Sequence, residues 1–196
     1  MFLEIGVMVM KEIERRIYNE VKRRCELPSN VYGMGAWDHH IKKVYEIAKL
    51  YALDYDADKE IVSLAALLHD IASVTDSSFT KNHHIIGSYI AEDLLLYEDY
   101  PIERIELIKK CILNHRGSVL KEKNSPEEIC LADADAMAHF YSIPSLLYMV
   151  YKEKGLSIDE GSKFVLDKLE RSYNKMSDKG KGLVLKQYNS AKDILR

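Results

Sequence analysis

From Met10 to Ile194 the apolar residues of this chain recur at intervals of three and four, and no stretch of useful length alternates apolar with polar. That period is one face of an α-helix, so the spacing predicts an all-α fold, a bundle of helices joined by short loops. Met10, Ile13, Ile17 and Val21 mark a first helix over about residues 7–26, ended near Leu27-Pro28. A second runs from about Trp37 to Ala52 and a third from about Asp58 to Ser73, the latter apolar on more than one side and therefore expected at the centre. Lys81 to Tyr97 and the stripe Ile102, Ile105, Ile108, Ile112 give two more, with Pro101 where a first turn accepts it. Ser125-Pro126-Glu127-Glu128 is a capping box opening a helix through Ala138, and Ser157 with Glu160 repeats it before a helix to about Met176. A last helix covers about Leu183 to Ile194. A single domain over 1–196 is expected, with its core at about 36–140 and C-terminal helices over about 144–196.

Composition narrows the function classes. Nine Gly and four Pro in 196 residues disfavour a turn-rich β fold. A formal net charge of −3 gives no electrostatic reason to expect nucleic acid or an anionic membrane as partner. The opening MFLEIGVMVM is too short to span a bilayer and has no basic stretch before it, so it is read as helix packed on the core of a cytoplasmic protein. Cys25, Cys111 and Cys130, odd in number and far apart, are expected to be reduced and buried.

The chemistry lies in the histidines and aspartates. His39-His40, His69, His83-His84 and His115 lie in or at the ends of predicted helices, most of them beside apolar stripes. His69-Asp70 closes the most apolar run of the chain, Leu64-Ala-Ala-Leu-Leu-His-Asp-Ile71. Burying such a pair is costly unless something neutralises it, and a divalent cation does so directly. Asp133 and Asp135 pose the same problem within Ile129 to Met137. Imidazoles and carboxylates on several helices of one small bundle point to shared coordination at its centre.

The order His40, then His69-Asp70, then Asp133 resembles the H…HD…D signature of the HD superfamily, helical metal-dependent phosphohydrolases. The contexts match too: His40-Ile-Lys-Lys-Val44 resembles H-x-x-R-V, Ala65 to Ile71 resembles A-A-L-L-H-D-I, and Ile129 to Asp135 resembles the helix bearing the last aspartate. His83 with Gly87 and Ala91 resembles the H-x-x-x-G-x-x-x-A helix of members with extra ligands, and Ile108 to His115 a segment supplying another. The resemblance spans about residues 36–140 and implies an HD-domain bundle with a C-terminal extension. It implies that His40, His69, Asp70, His83, His115 and Asp133 hold one or two divalent ions (iron, manganese, cobalt or nickel), Asp70 bridging, as in the binuclear members that include symmetrical diadenosine tetraphosphate hydrolases. Two residues apart on a helix, Asp133 and Asp135 cannot both face one centre; the resemblance places Asp133 in the ligand slot and turns Asp135 elsewhere.

The reaction this implies is hydrolysis of a phosphate ester or anhydride in a nucleotide or other small phosphorylated metabolite, by metal-activated water. His69 and Asp70 are the expected catalytic pair. Lys43, Lys81, Arg116 and His84 are candidate substrate contacts, with Lys42 another nearby cation; His39 is a bystander or outer support, and His139 structural. Val74 stands where many members carry an acidic residue, so the single-metal nucleotidase mechanism that uses a glutamate there does not carry over. Two rivals are a di-iron oxygenase, which iron content with oxygen uptake would reveal, and a non-catalytic nucleotide-binding regulatory domain, which would not need a full ligand set. The helices beyond about residue 144 are expected to close one side of the pocket or to form a homodimer contact.

Overall fold

The computed structural model describes residues 10–116 and 123–196, so the segment before Met10 expected to pack on the core lies outside the described residues. α1 (Glu12–Cys25) buries Ile17, Val21 and Cys25. Its Glu14 is buried as well, and accepts bonds from Lys49 Nζ at 2.6 Å and the Tyr45 hydroxyl at 2.8 Å, both on α2 (Lys42–Tyr51). Among buried groups such a triad sets one register of α1 on α2, because any slip strands a charge.

α3 (Lys59–Leu68) is capped by Asp58, whose carboxylate accepts from the backbone N–H of Glu60 and Ile61 at 2.9 and 3.2 Å. Every residue from Ile61 to Leu68 is buried, and α3 packs on α1, α2, α6 (Ile102–Asn114) and α7 (Pro126–Tyr141), the central position that its wide apolar arc implied.

The expected single helix to Ser73 is interrupted. α3 ends at Leu68, and a short α4 (Ile71–Thr75) follows after Asp70, whose φ of −109° and ψ of 13° lie in the bridge region. In an unbroken helix neighbouring side chains diverge by about 100°. The break lets His69 and Asp70 face one centre. A second irregularity sits upstream: Trp37–Ile41 is a π-helical turn leading into α2, with Trp37 and Ile41 buried and His40 between them. The extra residue of a π turn re-aims a side chain, and such turns are frequent at functional sites.

A 3₁₀ turn (Ser77–Asn82) precedes α5 (His83–Tyr97), which lies against α6. α8 (Ile143–Tyr148) and a π turn (Met149–Glu153) lead to α9 (Ile158–Lys175) with the expected Ser157/Glu160 capping box. α10 (Asp178–Ile194) starts earlier than the apolar stripe indicated, because the Ser177 hydroxyl caps it by accepting the Gly180 N–H at 3.1 Å. α9 and α10 both pack on α7, and Val165, Leu169, Val184 and Ala191 join the same core as α3.

The described residues contain no strand, and no helix among them is long and apolar enough to cross a membrane. All three cysteines are buried and unbridged, and burial, then nearby Asp70, pushes the Cys25 thiol up to about 12.

Candidate metal centre

The break after α3, the π turn before α2, the start of α5 and the end of α6 each deliver a histidine to one place. Three are held in the same way: His69, His83 and His115 donate their Nδ1–H to the carbonyl three residues back, on Ala66, Thr80 and Ile112, at 2.7, 2.8 and 2.6 Å. A carbonyl oxygen only accepts, so the proton is on Nδ1 and Nε2 is the atom turned inward. Such a backbone bond is the usual outer support of a metal-bound imidazole, fixing tautomer and ring direction together.

The inward nitrogens meet in pairs. His40 Nε2 lies 3.2 Å from His69 Nε2, and His83 Nε2 lies 3.2 Å from His115 Nε2. Asp70 lies between the pairs: Oδ2 is 3.3 Å from His40 Nε2 and 3.4 Å from His69 Nε2, while Oδ1 is 3.5 Å from His83 Nε2. Asp135 completes the first pair, with Oδ1 3.4 Å from His40 Nε2. The donors thus form two groups, His40 with His69 and Asp135, and Asp70 with His83 and His115.

The donor set fits divalent cations. With Nδ1 protonated on both His83 and His115, their Nε2 lone pairs oppose each other at 3.2 Å unless a positive charge lies between them. An ion with bonds of about 2.1 Å separates neighbouring donors by about 3.0 Å in an octahedral shell and about 3.4 Å in a tetrahedral one. The donor separations here, 3.2–3.5 Å, are of that size.

Electrostatics agree. Burial works against charge on Asp70, but His69 and His40 hold its carboxyl well below the usual range. Burial likewise opposes charge on Asp135, and Lys175, then His40, outweigh it. Burial would depress His69 too, but Asp70 raises it to about 9, whereas burial, then His69, lowers His115 to about 4. Between its carboxylates the centre holds a positive charge, as a proton when nothing else supplies one.

The expected ligands His40, His69, Asp70, His83 and His115 are therefore brought together, and Asp133 is not. Its carboxylate faces α10, accepting from the Ser177 N–H at 3.0 Å, from the Ser177 hydroxyl, and from the Tyr55 hydroxyl at 2.8 Å. The choice between the two aspartates is corrected: Asp135 stands at the histidines. Of the expected substrate contacts, Lys43 pairs with Glu46 at 2.7 Å on its own helix, and Lys81 is exposed, its carbonyl accepting from Arg116 at 2.8 Å. His84 is buried, its ring 5.7 Å from that of His83, and offers a substrate little surface; His39 is exposed.

His139 was not anticipated. Four residues after Asp135, it shares a helix face with it, stacks on His40 with centroids 5.6 Å apart, and pairs with the Ser172 hydroxyl at 3.0 Å. Lys175, also on α9, reaches Asp135 Oδ2 at 3.3 Å. The spacing of Asp135 to His139 was a usable signal; the α9 residues had none.

Comparison with known proteins decides the family, since residues 37–139 match the family described as HD domain. The chain belongs to the HD domain family. That superfamily is one of metal-dependent phosphohydrolases, some of whose members are not catalytic, and its members bind divalent metals. The matched HD segment carries His40, His69, Asp70, His83, His115 and Asp135. A Ribonuclease Y of Petrotoga mobilis is 28% identical over 107 residues, which are 55% of this chain and 19% of that protein. An uncharacterized protein of Clostridium beijerinckii is 33% identical over 96 residues, 48% of this chain and 60% of that one. The chain thus covers less than two thirds of either relative. No solved structure matches. α9 and α10 lie beyond the HD match.

Proposed function

We propose that this HD domain is a binuclear metal-dependent phosphohydrolase acting on a nucleotide or another small phosphorylated metabolite. The observation that supports it most is the place of Asp70, whose two carboxylate oxygens face different histidine pairs, at 3.3 Å from His40 and 3.5 Å from His83. One carboxylate addressing two groups of nitrogens is what a bridging ligand requires.

His40, His69 and Asp135 would hold one ion and His83 and His115 the other, with Asp70 shared. Imidazole with carboxylate suits iron, manganese, cobalt or nickel. When bound, the ions supply an acidified water and a counter-charge for phosphoryl oxygens. The residues themselves do the rest. The Nδ1–H bonds of His69, His83 and His115 fix each ring so that Nε2 is the atom aimed inward, toward the ion. Lys175 keeps Asp135 ionised and in place. The small excess of acidic over basic residues supports a small substrate over nucleic acid.

Metal analysis of gently purified protein, followed by a hydrolysis panel of phosphomonoesters, nucleoside polyphosphates, dinucleoside polyphosphates and RNA, tests this. The expected result is close to two ions per chain and chelator-sensitive release of phosphate or nucleotide from small substrates. Protein without transition metal, or cleavage confined to RNA, would sink the proposal.

A further inference from the structure

α9 lies outside the matched HD segment, yet it presents a stripe to the metal centre. Lys168, Ser172 and Lys175 are spaced four and three apart, hence on one helix face. Ser172 meets His139 and Lys175 meets Asp135. Lys168, one turn before Ser172 on the same face, is part-buried, which places it beside the same centre. Unlike Lys175, Lys168 has no hydrogen-bond or ion-pair partner among the described residues. An ammonium partly withdrawn from water with no ion-pair partner of its own is poised for an anion that arrives from outside.

We propose that Lys168 is a specificity-determining residue that binds a phosphate oxygen of the substrate, and that it selects terminal phosphate groups over phosphodiesters. The inference rests on the phosphohydrolase reading and deepens it. A terminal phosphate carries two ionised oxygens, one for the metal side and one for the ammonium, whereas a diester carries a single negative charge. Burial holds the Lys168 pKa down, as expected of an ammonium partly withdrawn from water, and a bound phosphate would restore its charge balance.

The test is calorimetric binding of inorganic phosphate to the manganese-loaded full chain, native and carrying Lys168→Met, Lys168→Arg or Lys163→Met. Lys163 is on the same helix but exposed, paired with Asp167, and serves as a charge control. Lys168→Met should retain native manganese and a melting temperature no lower than native, and bind phosphate at least about tenfold more weakly, the loss of one charge-assisted bond. Lys168→Arg should recover part of the affinity, and Lys163→Met should bind as native does. Lys168→Met should also raise KM for p-nitrophenyl phosphate while leaving bis-p-nitrophenyl phosphate unaffected. Unchanged phosphate affinity with manganese retained overturns the proposal and leaves the phosphohydrolase reading intact. Manganese loss in Lys168→Met, or an equal effect of Lys163→Met, also overturns it, because the lysine would then act on the ligands or through bulk charge. Native protein that binds no manganese defeats the underlying reading and this proposal with it.

Discussion

Asp133 and Asp135 stand two positions apart on α7 and serve opposite sides of it: Asp135 Oδ1 lies 3.4 Å from His40 Nε2, while Asp133 is held by Tyr55 and Ser177. Two residues along a helix turn about 200°, so only one of the pair can face the histidines. Asp135→Ala should lose the ion shared with His40 and His69, together with activity. Asp133→Ala should keep its metal and lose about 1–3 kcal/mol of stability, the cost of leaving its buried partners unpaired. Parallel metal analysis and urea denaturation separate the two, and metal loss confined to Asp133→Ala would reverse the assignment.

The reach of the sequence depends on what each signal encodes. Apolar period located nearly every helix, because burial of one face is a local property of the pattern: Ile61 to Leu68 read as central and are fully buried. The break at His69-Asp70 was not legible, since neither residue is a helix breaker and the turn is imposed by the tertiary site. Five of the six expected ligands converge because their spacing carries the motif. The resemblance puts the ligand at Asp133, and a D-A-D run has no internal phase to correct it; the position of α10, with Ser177 bonded to Asp133, shows which carboxylate turns inward. The face of α9 was invisible for the same reason, its lysines being indistinguishable in sequence from solvated ones.

Asp70 is the one ligand residue whose oxygens approach histidines of both groups, so its removal should differ in kind from removal of a histidine. Asp70→Ala should lose both ions. His115→Ala should lose one, leaving His40, His69 and Asp135 with Asp70 at the other position. Stoichiometry by plasma mass spectrometry after gel filtration reads this directly. One ion retained by Asp70→Ala would mean that the two groups do not share it.

His115 and His69, both buried at the centre, give the metal-free protein a pH optimum. His115, lowered to about 4 chiefly by burial, binds fewer protons folded than unfolded, so its contribution is present above its ordinary value of 6.5 and lost as pH falls toward 4. His69, raised to about 9 by Asp70 against the effect of burial, behaves oppositely: its contribution is present below 6.5 and lost as pH rises through 9. Chelated protein should therefore be most stable near neutrality. Bound metal takes the place of the His69 proton, so metal-loaded protein should keep its stability to pH 9 and lose it on acidification as protons compete for the ligands. Urea denaturation with and without chelator across this range checks both limbs. A chelated protein whose stability keeps rising from neutrality to pH 9 would contradict them.

Gly180 offers a sharper test of the α7–α10 clasp. A Cβ there would lie 2.5 Å from Asp133 Oδ2 and 2.8 Å from its Cγ. Asp133 cannot step aside without giving up the bonds from Tyr55 and Ser177, so Gly180→Ala should cost about 1–3 kcal/mol despite the better helix propensity of alanine. Gly182, also on α10, has nothing within 4 Å of an added Cβ, so Gly182→Ala should stabilise by about 0.5–1 kcal/mol, the propensity gain alone. In an Asp133→Ala background the two atoms nearer than 3.0 Å are gone and only the Cβ of residue 133 remains, at 3.2 Å, so Gly180→Ala should lose its cost and reverse toward a gain smaller than that of Gly182→Ala. Such a reversal is the coupling expected of residues in direct contact, and a double-mutant cycle measured by urea denaturation gives it as one number. Gly180→Ala that is equally harmful with and without Asp133 would place the obstruction elsewhere and remove Asp133 from the clasp.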